Sequence, residues 1–162
     1  YFDMHGSLAK EVGSPGRYRA LVDLMGHAHV GGKTLVCFID GLYPGVHPSG
    51  RSPRKFESPP FNGHWASSLF ASQDQVAIDS VGFDFLYAEW NEHPHMPGAD
   101  DYLHEAALAA DPPSGTFYDP NHATSTARLA SLGVHEHWNN PVDRKYSRNL
   151  GRREGIELVA AI

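Results

Sequence analysis

The chain predicts an α/β fold: a layered sandwich with a mixed or mostly parallel sheet and long Pro/Gly-rich loops. Three observations carry this expectation. The run TLVCFI at 34–39 is apolar at nearly every position, the pattern of a strand buried on both faces. Stretches with apolar residues at helical spacing flank it, and strands interleaved with helices form such layers. The 16 glycines and 12 prolines in 162 residues call for extended loops between these elements.

Taken in order, RYRALVDLMG at 17–26 places Tyr18, Leu21, Leu24 and Met25 at helical spacing, with Gly26 as a stop. The strand at 34–39 ends at Asp40-Gly41. A loop over 43–65 follows, and its five prolines forbid regular structure. SSLFAS at 67–72 reads as a second strand. Asp74 then suits the N-cap of a helix reaching Trp90, because its carboxylate accepts from the free N–H groups of a first turn. Val76, Ala77, Val81, Phe85 and Leu86 form that helix's apolar stripe, and Gly82 allows close packing. A short helix over 101–110 is capped by Asp100 or Asp101. TARLASLG at 126–133 reads as helical, VHEHW at 134–138 as a strand, and GIELVAAI at 155–162 as a final strand.

Net charge of −6 argues against a nucleic-acid partner, which needs a basic surface. No apolar run approaches the roughly 18 residues of a membrane span. The single cysteine, Cys37, excludes an internal disulfide and an all-cysteine iron–sulfur or zinc site, and its apolar neighbours suggest a small buried hydrophobe. The chain reads as one α/β domain over 1–162. It opens YFDMHG without an initiator Met, as a fragment or processed C-terminal part of a longer protein would. A homo-oligomer, or an N-terminal half supplied separately, is compatible with this.

The segment LFASQDQVAIDSVGFDFL resembles the S-x-D-P-V-A-[VI]-D signature of the domain-of-unknown-function 362 family, through Ser72, Asp74, Val76, Ala77, Ile78 and Asp79. Gln75 stands where that signature has proline, a mild change at the first turn of a helix. LVCFIDGLY, HEAA and GVHEHWNNP with YSRNLG and GIEL are similar to features of its bacterial, often exported, branch. The resemblance runs from about Tyr18 to Leu158. It implies an α/β fold, a bacterial source and a periplasmic or extracellular setting. It also implies a further N-terminal half, and it implies no defined chemistry.

Histidine is the outlier, with 11 residues and three H-x-H pairs: His27/His29, His93/His95 and His135/His137. On a strand, His135 and His137 point to one side, so two imidazoles can face one divalent metal while Glu136 faces away. Asp79 is the carboxylate expected in that metal's shell, and His64, His104 and Asp119 are further candidates for a third ligand. Asp40, ending a buried strand, and Asp74, opening the next helix, are the candidate catalytic carboxylates. Neighbouring parallel strands would bring them to one sheet edge. Arg51 and Arg54 form a basic cluster suited to an anionic ligand, and Trp138 offers an aromatic face to a sugar. These features point to a metal-dependent hydrolase or oxidoreductase acting on a polar, carbohydrate-like small molecule. The alternative is a non-catalytic ligand-binding or structural domain, with the aspartates as caps and the histidines as surface polar groups.

Overall fold

The structure is a computed structural model that describes residues 17–45, 52–91, 96–122 and 127–161. Among these residues it is a mixed α/β arrangement of three α-helices, two short 3-10 turns and one small two-stranded sheet. The helices are α1 (Ala20–Gly26), α2 (Gln75–Trp90) and α3 (Met96–Ala107), and the strands are β1 (Cys37–Gly41) and β2 (Ser68–Ser72).

β1 and β2 pair antiparallel, with Cys37 opposite Ser72 and Gly41 opposite Ser68. No parallel pair occurs among the described residues. This separates the two candidate catalytic carboxylates. In an antiparallel pair the end of one strand lies beside the start of the other, so Asp40 and Asp74 sit at opposite ends. Cys37, Ile39, Phe70 and Ser72 turn toward α2, and Phe38 and Leu69 face outward. Gly82 lets α2 approach closely: a Cβ there would come within 2.9 Å of the Ile39 side chain.

α2 is the centre of the molecule. It packs on α3 and on both strands, and a helix enclosed on several sides must be apolar around most of its circumference. One core cluster joins Val22, Val76, Phe83, Leu103, Ala106 and Tyr118 between the three helices. A second joins Val81, Tyr146 and Ile156 with Phe70, Phe85 and Trp138 on the other side of α2. Asp74 caps α2 as expected, accepting from Val76 N at 2.9 Å and Ala77 N at 2.8 Å.

α3 begins earlier than its acidic residues suggest. Pro97 lies in the first turn, where its missing N–H costs nothing. Asp100 and Asp101 are therefore inside the helix and do not cap it. Asp101 and Glu105, one turn apart, face the interior. Arg19, 1% exposed, pairs with Asp101 at 2.6 Å, and Glu105 accepts from Tyr118 Oη at 2.8 Å and Ser114 N at 2.7 Å. These contacts fix the rotation of α3 about its axis.

Three segments expected to be regular are not. No helix forms over 127–132: Leu132 N donates to Ala106 O at 3.1 Å and Arg128 to Ala110 O at 3.0 Å, so the segment answers free carbonyls at and beyond the end of α3. Residues 134–138 form no strand, and the N–H groups at the two ends, Val134 and Trp138, go to carboxylates of Asp74 and Asp84. In 155–161, Ile156 N donates to Glu136 and Leu158 N to Asn149. In the last two segments, side-chain acceptors stand where a neighbouring strand would present carbonyls.

A candidate metal centre

The extended segment 134–138 runs along α2 in the same direction as the helix. The match is geometric. Four helical residues rise about 6 Å, and two extended residues rise slightly further, between roughly 6 and 7 Å. Ser80 and Asp84, one turn apart on α2, therefore meet His135 and His137, two residues apart. Upstream, Asp74 Oδ2 accepts from Val134 N at 2.9 Å. Gly133 is required here, because a Cβ would sit 2.0 Å from Asp74 Oδ1.

Ser80 donates its single proton to Val76 O at 2.8 Å, so its oxygen accepts from His135 Nδ1, also at 2.8 Å. That leaves His135 Nε2 turned toward Asp100. The side chain of His135 is 4% exposed. Asp84 is buried and holds His137 Nδ1 at 2.6 Å through one oxygen. Its other oxygen accepts from Trp138 N at 3.1 Å and Tyr146 Oη at 2.8 Å. His137 Nε2 is then also turned toward Asp100.

Asp100 Oδ1 lies 3.3 Å from His135 Nε2 and 3.2 Å from His137 Nε2. The three donor sets lie within 4.8 Å of one another and could hold a metal ion. Asp100 Oδ1 and His135 Nε2 are within ion-pair distance yet lack hydrogen-bond geometry, and both are buried without a hydrogen-bond partner. His104 stands edge-on to His135, ring centroids 4.3 Å apart, and its Nδ1 donates to Asp100 O at 3.0 Å.

The electrostatics follow from these contacts. Asp100 and then Asp84 raise the His137 imidazole to about 10, against the effect of burial. Burial pushes Asp100 upward, but His135, His137 and His104 outweigh it and hold the carboxyl well below its usual range. Burial, followed by the Asp84 charge, keeps the Tyr146 phenol protonated far above its ordinary value.

The His135/His137 pair thus comes together as the H-x-H spacing suggests, with Glu136 turned away. Other expected site residues lie elsewhere. Asp79, expected in the metal shell, accepts from the Tyr102 hydroxyl and is not among the three converging residues. Asp74 is a cap and an anchor for Val134, and Asp40 closes a turn by accepting from Leu42 N at 3.0 Å. Trp138 packs edge-on against Phe85 and under the Arg144 guanidinium, 5.0 Å from its ring centroid. Arg54 is exposed, and Arg51 lies outside the described residues. His27 Nδ1 accepts from His29 N, a local turn, and His93 and His95 lie outside the described residues. Of the three further ligand candidates only His104 adjoins the cluster; His64 bridges Phe56.

Asp100, Asp84 and Ser80 were not legible as site residues. Asp84 carries a usable signal: a carboxylate between Phe83 and Phe85 in an apolar helix must be buried with partners. Asp100 and His104 carry another, an i,i+4 pair on one helix face.

Comparison of the chain with protein-family models, with curated proteins and with solved structures finds no match.

Proposed function

We propose that His135, His137 and Asp100 bind a divalent transition metal, and that the domain is a metal-dependent hydrolase or oxidoreductase acting on a polar small molecule. The observation that carries this reading is the convergence of three donors, two of which, His135 Nε2 and Asp100 Oδ1, are buried without hydrogen-bond partners. Buried polar atoms ordinarily find partners, and unmet ones mark a missing ion or water. Two imidazoles and one carboxylate suit zinc, iron or copper better than magnesium or calcium. Three protein ligands leave coordination positions open, as in catalytic and not closed structural sites. A metal there supplies Lewis acidity or an activated water. The chain's own contribution is orientation: Asp84 and Ser80 fix the ring nitrogens that would face the ion.

The resemblance to the domain-of-unknown-function 362 family belongs to the same reading and rests on the residues from Ser72 to Asp79 with the later HEHWNN segment. A larger layered sheet is also proposed, supported by the outward Phe38 and Leu69, which are 60% and 67% exposed.

One observation favours a second, non-catalytic reading. A protonated His137 between two carboxylates is a self-sufficient ion pair that fastens α3 to segment 134–138 without metal. Metal analysis of protein purified without an affinity tag separates the two. The enzyme reading expects about one equivalent of metal, lost in the double variant His135→Ala/His137→Ala. Metal-free protein whose melting temperature ignores added zinc, iron, copper and manganese would leave only the ion-pair reading.

A further inference from the structure

An open depression lies on the surface beside segment 134–136, lined by His135, Glu136, Ser147, Arg152, Arg153 and Glu154. Its loop is held firmly. Glu136 Oε1 accepts from Ser147 N at 3.1 Å and from Ile156 N at 2.5 Å. Asn149 donates to Leu158 O at 3.0 Å and accepts from Leu158 N at 2.9 Å. Arg152 N donates to Ser147 O at 3.1 Å, closing the loop on itself. Glu136, the residue between the two histidines, therefore clamps the loop that carries both arginines.

The charges on this loop are unevenly matched. Arg148 pairs with Glu157 at 2.9 Å. Arg152 and Arg153 are exposed, and their guanidinium groups meet no carboxylate among the described residues. Both backbone amides engage Glu136 through Oε1, so Glu136 and Glu154 each bring a carboxylate to this rim beside the two arginines. A guanidinium fork matches the geometry of carboxylate and phosphate oxygens.

We propose that this depression binds the oxyanion of a small carboxylated or phosphorylated substrate, gripped by Arg152 and Arg153, with Glu154 accepting from substrate hydroxyls. The site shares the stretch 134–136 with the metal cluster but lies on the side of Glu136, opposite the histidine rings, so its affinity for an anion does not rest on the metal reading.

Calorimetric titration of inorganic phosphate and of acetate into the full chain, metal-free and zinc-loaded, tests this. Binding of at least one anion is expected in both forms. It should weaken by about tenfold or more in R152A/R153A, in line with hydrogen bonds to charged groups, and recover in part in R152K/R153K, which keeps the charge. Preference for phosphate or acetate identifies the class of substrate. Equal binding by R152A/R153A and the unaltered protein, or binding of neither anion, overturns the proposal. Anion binding upholds the anion site whether or not zinc is taken up; zinc uptake without anion binding overturns the anion site and leaves the metal reading standing.

Discussion

Asp84 uses both carboxylate oxygens on the segment that bears the histidines: one on His137 Nδ1, the other on Trp138 N and Tyr146 Oη. A carboxylate behind a metal-binding imidazole fixes its tautomer and raises its basicity. Asp84→Asn keeps the shape and one acceptor oxygen but removes the charge and replaces the other acceptor by a donor amide. It should weaken zinc affinity about 10–100-fold, measured by competition with a chromophoric chelator. An unchanged affinity would mean that His137 is oriented without Asp84. At this scale the sequence shows its limits clearly. The two histidines were legible because alternation along an extended chain is a local property. Asp100 was not, because its role depends on where α3 begins and how Arg19 and Tyr118 rotate it, and both are tertiary matters.

At the scale of elements, Asp74 joins two structures with one side chain. It caps α2 through Val76 N and Ala77 N and anchors Val134 N at the start of the metal-bearing segment. Asp74→Ala should cost about 1 kcal/mol through the lost cap, read from denaturant midpoints, and should lower zinc affinity through the loosened segment. Asp74→Asn keeps one acceptor oxygen and puts a donor amide where the other stood, so it should restore the cap on Val76 N and Ala77 N but not the anchor on Val134 N. Stability loss with unaltered affinity would show that the segment does not depend on this anchor. α1 and α2 were legible because apolar residues recur at helical spacing and Asp74 marks a start. Segments 134–138 and 155–161 were misread as strands for a definite reason. Their composition suits extended backbone, and they are extended, but the acceptors for their N–H groups are Asp74, Asp84, Glu136 and Asn149. No local pattern distinguishes a strand paired to a strand from one hung on side chains.

For the molecule as a whole, the charged cluster joins α3 to the C-terminal segment on one flank of α2, and this makes stability depend on pH. The folded metal-free protein holds His137 at about 10, above its ordinary value of 6.5. Its contribution is therefore complete below about 6.5 and is lost as pH rises toward 10. The metal-free melting temperature should fall across that window, and the fall should be smaller in His137→Ala. A metal must displace the same proton, so zinc affinity should rise with pH over that range. Identical melting profiles for the two proteins would remove His137 as the titrating group. The mixed α/β character was legible from the separate apolar runs. The antiparallel pairing was not, because the β1 run reads alike in either orientation and its partner lies beyond a loop of more than 20 residues.

The tripeptide His135-Glu136-His137 divides two tasks between opposite sides of one extended stretch. The histidines meet Asp100, Ser80 and Asp84, and the glutamate closes the arginine-bearing loop. Because the period is two, losing or gaining one residue between Gly133 and His135 would exchange the sides. A carboxylate would then turn toward Asp100 and an imidazole toward the loop amides, so both tasks would fail together. Single substitutions here can damage one task and leave the other, but a one-residue change of length cannot. The spacing from Gly133 to Trp138 is therefore under a stricter constraint than the identity of any one of its side chains.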